Sequence, residues 1–215
     1  MSFAASEIIA DARLRHALFD DKVLPTPVAL GLLDGYVRRL RADVMDRYPE
    51  ALASQTTFTL PLPDFELGLV MPPYYTVLDV TAFLNVAGLE RGEQVAVIPM
   101  QQRFDSGIWP ACYFVRDGLY LKGEPSEWQG YTSILVTFVP SDSRVSSPGA
   151  LIELPDACYA ACVENLAFLF GSRLSDRIVP PVLQSLADSA ATSQDNAIRN
   201  ITAIRKQEKW SVREY

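Results

Sequence analysis

The feature that most restricts this chain is a change of period along its length. Helical spacing of apolar residues at both ends gives way, from Phe58 to Val139, to a stretch rich in Val, Tyr, Phe and Thr. Pro or Gly punctuates that stretch at intervals of about ten residues, the mark of short β-strands separated by turns. Alternation is clearest in Gln94–Pro99, Gly118–Lys122 and Thr132–Phe138. Arg116-Asp117-Gly118 supplies an Asp-Gly hairpin turn between two strand candidates.

Four segments outside this region read as helices. Residues 6–19 place Ile8, Ile9, Ala12, Leu18 and Phe19 among polar neighbours, with Ser6 as N-cap. Thr26-Pro27 opens a second helix, with Val28, Leu32, Tyr36, Leu40, Val44 and Tyr48 on one face until Pro49 stops it. The short linker between the two favours an antiparallel hairpin. Gly31 and Gly35 on the second helix are expected to permit close helix approach. Pro155-Asp156 opens a third helix, with Cys158, Tyr159, Cys162, Val163, Leu166, Leu169 and Phe170 inward and an end near Gly171. Pro180-Pro181 starts a fourth, whose stripe thins to Ile198, Ile201 and Ile204.

The expected fold class is therefore α+β: a helical bundle from the N- and C-terminal helices with a central antiparallel β-rich insertion. The expected division is an N-terminal helix hairpin at 1–56, a β-rich region at 57–150, C-terminal helices at 151–205 packing on the hairpin, and an extended C-terminal docking tail at 206–215. A chain of 215 residues buries roughly 70% of its unfolded surface, a real core without disulfides. No apolar run approaches the roughly 18 residues of a membrane span. The N-terminal stretch carries Glu7 and Asp11 and no basic region, so no signal peptide is expected. The three cysteines are expected as free thiols in a reducing compartment.

Charge is distributed unevenly. Residues 196–215 hold Arg199, Arg205, Lys206, Lys209 and Arg213 against Glu208 and Glu214, a net +3, so the remainder carries −10 of the total of −7. The acidic body disfavours broad nucleic-acid binding. The basic end, with Trp210 and Tyr215, combines cations with residue types enriched at binding hot spots.

Catalytic signatures are absent from the sequence. It contains no GxGxxG, GxxxxGK[ST], GxSxG or HExxH, which removes the commonest nucleotide-binding, hydrolase and zinc-protease patterns. His16 is the only histidine. Cys158 and Cys162, spaced i and i+4, share a helix face, but a tetrahedral zinc site needs four ligands and only Cys112 and His16 remain, both distant in sequence. The pair reads as core packing. No cofactor or metal is expected and the chain reads as a non-enzyme. The competing reading is a hydrolase with a carboxylate pair among Asp64, Glu66, Asp79 and Asp105.

The order of features resembles the head-to-tail connector (adaptor) proteins of tailed bacteriophages over roughly residues 6–175. The pieces are Ile8-Ile9 with Ala12-Arg13, Phe58-Thr59-Leu60-Pro61, the run Gly68 to Tyr75, Val77-Leu78-Asp79-Val80, Val97-Ile98-Pro99 with Arg103, Pro110 to Phe114, Gly118 to Leu121, and Ile152-Glu153-Leu154-Pro155-Asp156. The resemblance implies a structural subunit of the virion neck, assembled in the host cytoplasm. It implies a homo-oligomeric ring, usually of twelve copies, below the portal protein and above a downstream tail or nozzle protein. Genome DNA would pass through the lumen without specific binding, and no membrane is involved. Portal docking would fall to the C-terminal segment, here Arg205, Lys206, Lys209, Trp210, Arg213 and Tyr215. A tail-terminator or baseplate subunit is the alternative within the structural class.

Overall fold

Apolar periodicity decides the first elements. In the computed structural model, which describes residues 2–60, 68–86, 88–105, 107–141 and 144–211 and their side chains as far as 203, strand β1 (Phe3–Ala4) leads into helix α1 (Ala5–Arg13). The helix stops earlier than its sequence pattern suggests. Ala4, not Ser6, is the N-cap, and its amide donates to the Glu7 carboxylate at 3.1 Å. Beyond Arg13 the chain turns, yet Phe19 still reaches the core.

Helix α2 (Thr26–Arg47) has Pro25 at its N-cap and Pro27 in its first turn. Its inward face carries Ala29, Leu30, Leu33, Tyr36, Val37, Leu40, Arg41 and Val44. Gly31 and Gly35 are on the opposite face, where an added Cβ would meet nothing within 4 Å, so the expected close approach does not occur there. A glycine that does mediate close approach is Gly171: its Cβ would stand 2.9 Å from Leu186 Cδ1 and 3.2 Å from Leu183 Cδ1. Gly171 is in the last turn of helix α3 (Tyr159–Arg173), which ends close to Gly171 as expected. A 3-10 turn at Asp156–Cys158 precedes α3, and helix α4 runs from Pro180 to Ser211. The expected extended tail thus begins as helix, and Val212 to Tyr215, including Arg213 and Tyr215, lie outside the described residues.

The middle of the chain supplies strands β2 (Ser54–Thr59), β3 (Leu69–Val70), β4 (Tyr74–Val86), β5 (Leu89–Gln94), β6 (Ala96–Val97), β7 (Ala111–Val115), β8 (Gly118–Leu121) and β9 (Tyr131–Pro140). Strand β10 (Leu151–Ile152) pairs antiparallel with β1, Phe3 opposite Ile152. One four-stranded sheet has the order β2-β9-β4-β5 and is antiparallel throughout; the other has the order β3-β8-β7-β6, with β6 and β7 parallel. Val80 and Ala82 of β4 and Ile134, Val136 and Phe138 of β9 share a core with Cys112, Leu119 and Leu121 of the second sheet.

By its contacts the chain divides into two units, one of residues 1–52 with 142–215 and one of 53–141. In the first, α3 packs against α1, α2 and α4. Phe19 and Phe170 meet there, and Arg41 donates to the Glu153 carbonyl at 3.2 Å. The second contains both four-stranded sheets.

The α+β class stands, but the expected bundle of terminal helices with one antiparallel insertion is corrected. Among the described residues the structure has four α-helices and three sheets, and sheets dominate the middle of the chain. The β1–β10 pair joins the two sequence segments of the first unit by a ladder, and the β6–β7 pair breaks the antiparallel pattern. Strands of two residues are too short to show a period in sequence.

Candidate functional site

Of the residues expected to dock, Arg205, Lys206, Lys209 and Trp210 fall at the end of α4. This helix has 32 residues against 15 for α3, or about 48 Å against about 22 Å at 1.5 Å per residue. Leu186, Ala190, Ala197 and Ile201 are buried along it. Its backbone continues past Ile201 to Ser211, carrying the positions of Arg205, Lys206, Lys209 and Trp210 on one continuous helix. Their side chains lie outside the described residues.

The cysteines are fully buried in both units. Burial pushes the thiols of Cys112 and Cys158 up to about 12; Cys162 is raised by burial and then by its neighbour Cys158. Such thiols are poor nucleophiles and poor metal ligands at neutral pH. Among the described residues, no group of three or more His, Cys, Asp or Glu is placed to hold a metal ion. His16 uses Nδ1 to accept the Leu18 amide at 3.2 Å, a local turn contact. Of the four carboxylates in the hydrolase reading, Asp64 and Glu66 lie outside the described residues. Asp79 is engaged by Thr81 at 2.9 Å and Gln94 at 3.2 Å. Asp105 is exposed, and its carbonyl accepts a hydrogen bond from Lys122. No helix is long and apolar enough to cross a membrane among the described residues.

Sequence reasoning missed a cleft in the second unit. The turn Arg116-Asp117 joins β7 to β8 and sets Tyr113 directly opposite Tyr120. Their rings stack, centroids 5.5 Å apart and planes at 11°. A Cβ on Gly68 or on Gly118 would stand 2.8 or 2.9 Å from the Tyr120 ring, so the ring lies against bare backbone. Alternation sends Leu119 and Leu121 into the core and leaves Tyr120 and Lys122 on the other face.

Lys122 is buried to 8% exposure although it directly follows β8 and precedes the exposed Gly123 and Glu124. Its ammonium donates to the Asp105 carbonyl and, at 2.9 Å, to that of Ile108, drawing the loop after β6 back over the sheet. On that loop the Arg103 guanidinium sits 4.4 Å over the Phe104 ring and also donates to the Met100 carbonyl at 3.3 Å. Arg103, Phe104, Tyr113, Tyr120, Lys122 and Glu124 line a cavity of about 390 Å³. The turn residues gave a usable signal for the Tyr113–Tyr120 pair, because a two-residue turn fixes register. Nothing in the pattern signalled Arg103 or Lys122. No family model matches the chain, and no curated protein matches it.

Proposed function

We propose that the chain is a non-enzymatic structural subunit, a head-to-tail adaptor that assembles as a ring of copies below a portal protein and docks through the end of α4. The observation that carries this reading is the length of α4. It outruns its partner α3 by about 25 Å, and the residues beyond Ile201 bring Arg205, Lys206, Lys209 and Trp210 onto one helical extension. A basic helix with an aromatic residue is suited to an acidic groove on another protein. Repetition around a ring would multiply a weak single contact through effective concentration.

Further support comes from apolar side chains left in solvent in each unit, among them Leu14 and Val179 in the first and Val70 and Leu89 in the second. Neighbouring copies would cover such positions in a closed ring. The negative body fits a conduit from which DNA phosphates are repelled.

The test is native mass spectrometry and electron microscopy of the full chain, alone and mixed with the portal protein of the same genome. The expected result is a ring or a portal-bound ring, lost on charge reversal at Lys206 and Lys209 or on Trp210→Ala. A monomer that ignores portal rings overturns the reading.

A further inference from the structure

We propose that the cleft in the second unit binds a single nucleotide, its base seated among the aromatic side chains and its phosphate held by Arg103 and Lys122. This site is independent of the neck reading and of α4.

The cations come first. Lys122 is almost wholly buried, and an ammonium has three protons to donate. Among the described residues it has two acceptors, the carbonyls of Asp105 and Ile108, and no carboxylate partner. A buried charge without a counter-charge is costly, and an anion in the adjoining cavity removes that cost while using the third proton. Arg103 lines the same cavity and adds a second cation.

The walls then restrict which anion. Phe104 and the Tyr113–Tyr120 stack line it with aromatic surface. Tyr120 is covered by Tyr113, Gly68 and Gly118, which leaves Phe104 and Tyr113 for a base. Base stacking with flanking cations is how proteins hold unpaired nucleotides. The Tyr113–Tyr120 pair is fixed by its cross-strand register and by Gly68 and Gly118 beneath it. Little ordering is therefore required on binding. A volume of about 390 Å³ falls at the small end of ligand sites, enough for one nucleotide and too little for an extended strand. The carboxylate side chain of Glu124 on the lining opposes further phosphates. The ligand carries one phosphate.

The experiment is a titration of the full chain with thymidine 5′-monophosphate, adenosine 5′-monophosphate, thymidine, inorganic phosphate and glucuronate, followed by calorimetry and aromatic fluorescence. Both monophosphates should saturate, with thymidine weaker by about tenfold for want of the charge-assisted contacts. Arg103→Gln and Phe104→Ala alter exposed or half-exposed side chains and should each weaken monophosphate binding about five- to tenfold while the melting temperature holds. The proposal is overturned by no saturable binding at about 10 mM ligand, by unchanged affinity in both variants, or by glucuronate binding as tightly as the monophosphates. Affinity that climbs with each added residue of an oligothymidylate series also overturns it, in favour of an extended groove.

Discussion

Phe19 and Phe170 meet edge to face, ring centroids 5.5 Å apart and planes at 71°, and neither exposes any surface. The contact joins the turn after α1 to the last turns of α3, so it closes the N-terminal segment onto the C-terminal one across some 150 residues of sequence. Aromatic pairs of this geometry add about 0.5–1.5 kcal/mol to what burial supplies. Phe19→Ala should therefore cost about 3–5 kcal/mol in urea or guanidinium unfolding. A loss under about 1 kcal/mol would mean that the turn after α1 is not part of the core.

The glycines of α2 predict the opposite sign. Gly31 and Gly35 face open space on a helix interior, so alanine adds no clash and removes backbone freedom from the unfolded chain. Each Gly→Ala change should stabilise by about 0.5–1 kcal/mol. Gly171→Ala should not gain in the same way, because its methyl would press on Leu183 and Leu186. Chemical denaturation of the three single variants compares them directly.

These contrasts show what was legible before the structure. The inward positions Tyr36, Leu40 and Val44, and Cys162, Leu166 and Phe170, follow from helical period alone, and all six are buried. The end of α1 did not follow, because Phe19 keeps an apolar period while its backbone leaves the helix to reach Phe170. Small residues hid part of α4: Ala190 and Ala197 are buried, but a stripe counted on isoleucines passes over them. The parallel β6–β7 pair rests on a non-local crossing with two residues per ladder, which no local pattern encodes. Lys122 read as the polar end of a strand, and only the loop brought over it by tertiary packing makes it buried.

The buried thiols set a pH dependence. A group whose folded pKa is raised contributes its stability below the unfolded value and loses it as pH climbs toward the folded one. With Cys112 and Cys158 at about 12 and an unfolded thiol near 8.5, stability should be flat to about pH 8 and then fall. The slope is at most about 1.4 kcal/mol per pH unit for each thiol. Unfolding midpoints at pH 7, 9 and 10 check this, and Cys112→Ala should flatten the fall. In parallel, Ellman's reagent should leave the native thiols unmodified at pH 7.5 and react with all three on denaturation. Rapid native labelling would contradict their burial.

Lys122 ties the loop after β6 to the sheet through two carbonyls. Lys122→Met keeps much of the stem volume and removes the donors, leaving the Asp105 and Ile108 carbonyls to water. The expected cost is about 1–3 kcal/mol. The loop should also open locally, which exposes the bond after Arg103 to trypsin. Cleavage at Arg103 should rise several-fold in limited proteolysis of the variant. If the rate matches the unaltered chain, the loop is held by its apolar contacts instead.

The end of α4 separates a folding role from a docking role. Ile201 is buried to 4% exposure, and the positions beyond it carry the net positive charge of the C-terminal segment. Ile201→Ala should therefore cost about 2–5 kcal/mol, as large-to-small changes in a core do. At about 2–4 °C per kcal/mol for a chain of this size, that is a melting shift of roughly 5–20 °C. Deleting residues 206–215 removes helix past Ile201, the last buried position among the described residues, and the melting temperature should move by no more than about 2 °C. Differential scanning calorimetry of the two variants decides the matter. A deletion that destabilises as much as Ile201→Ala would place the end of α4 in the core, and its basic residues would then not be free to dock.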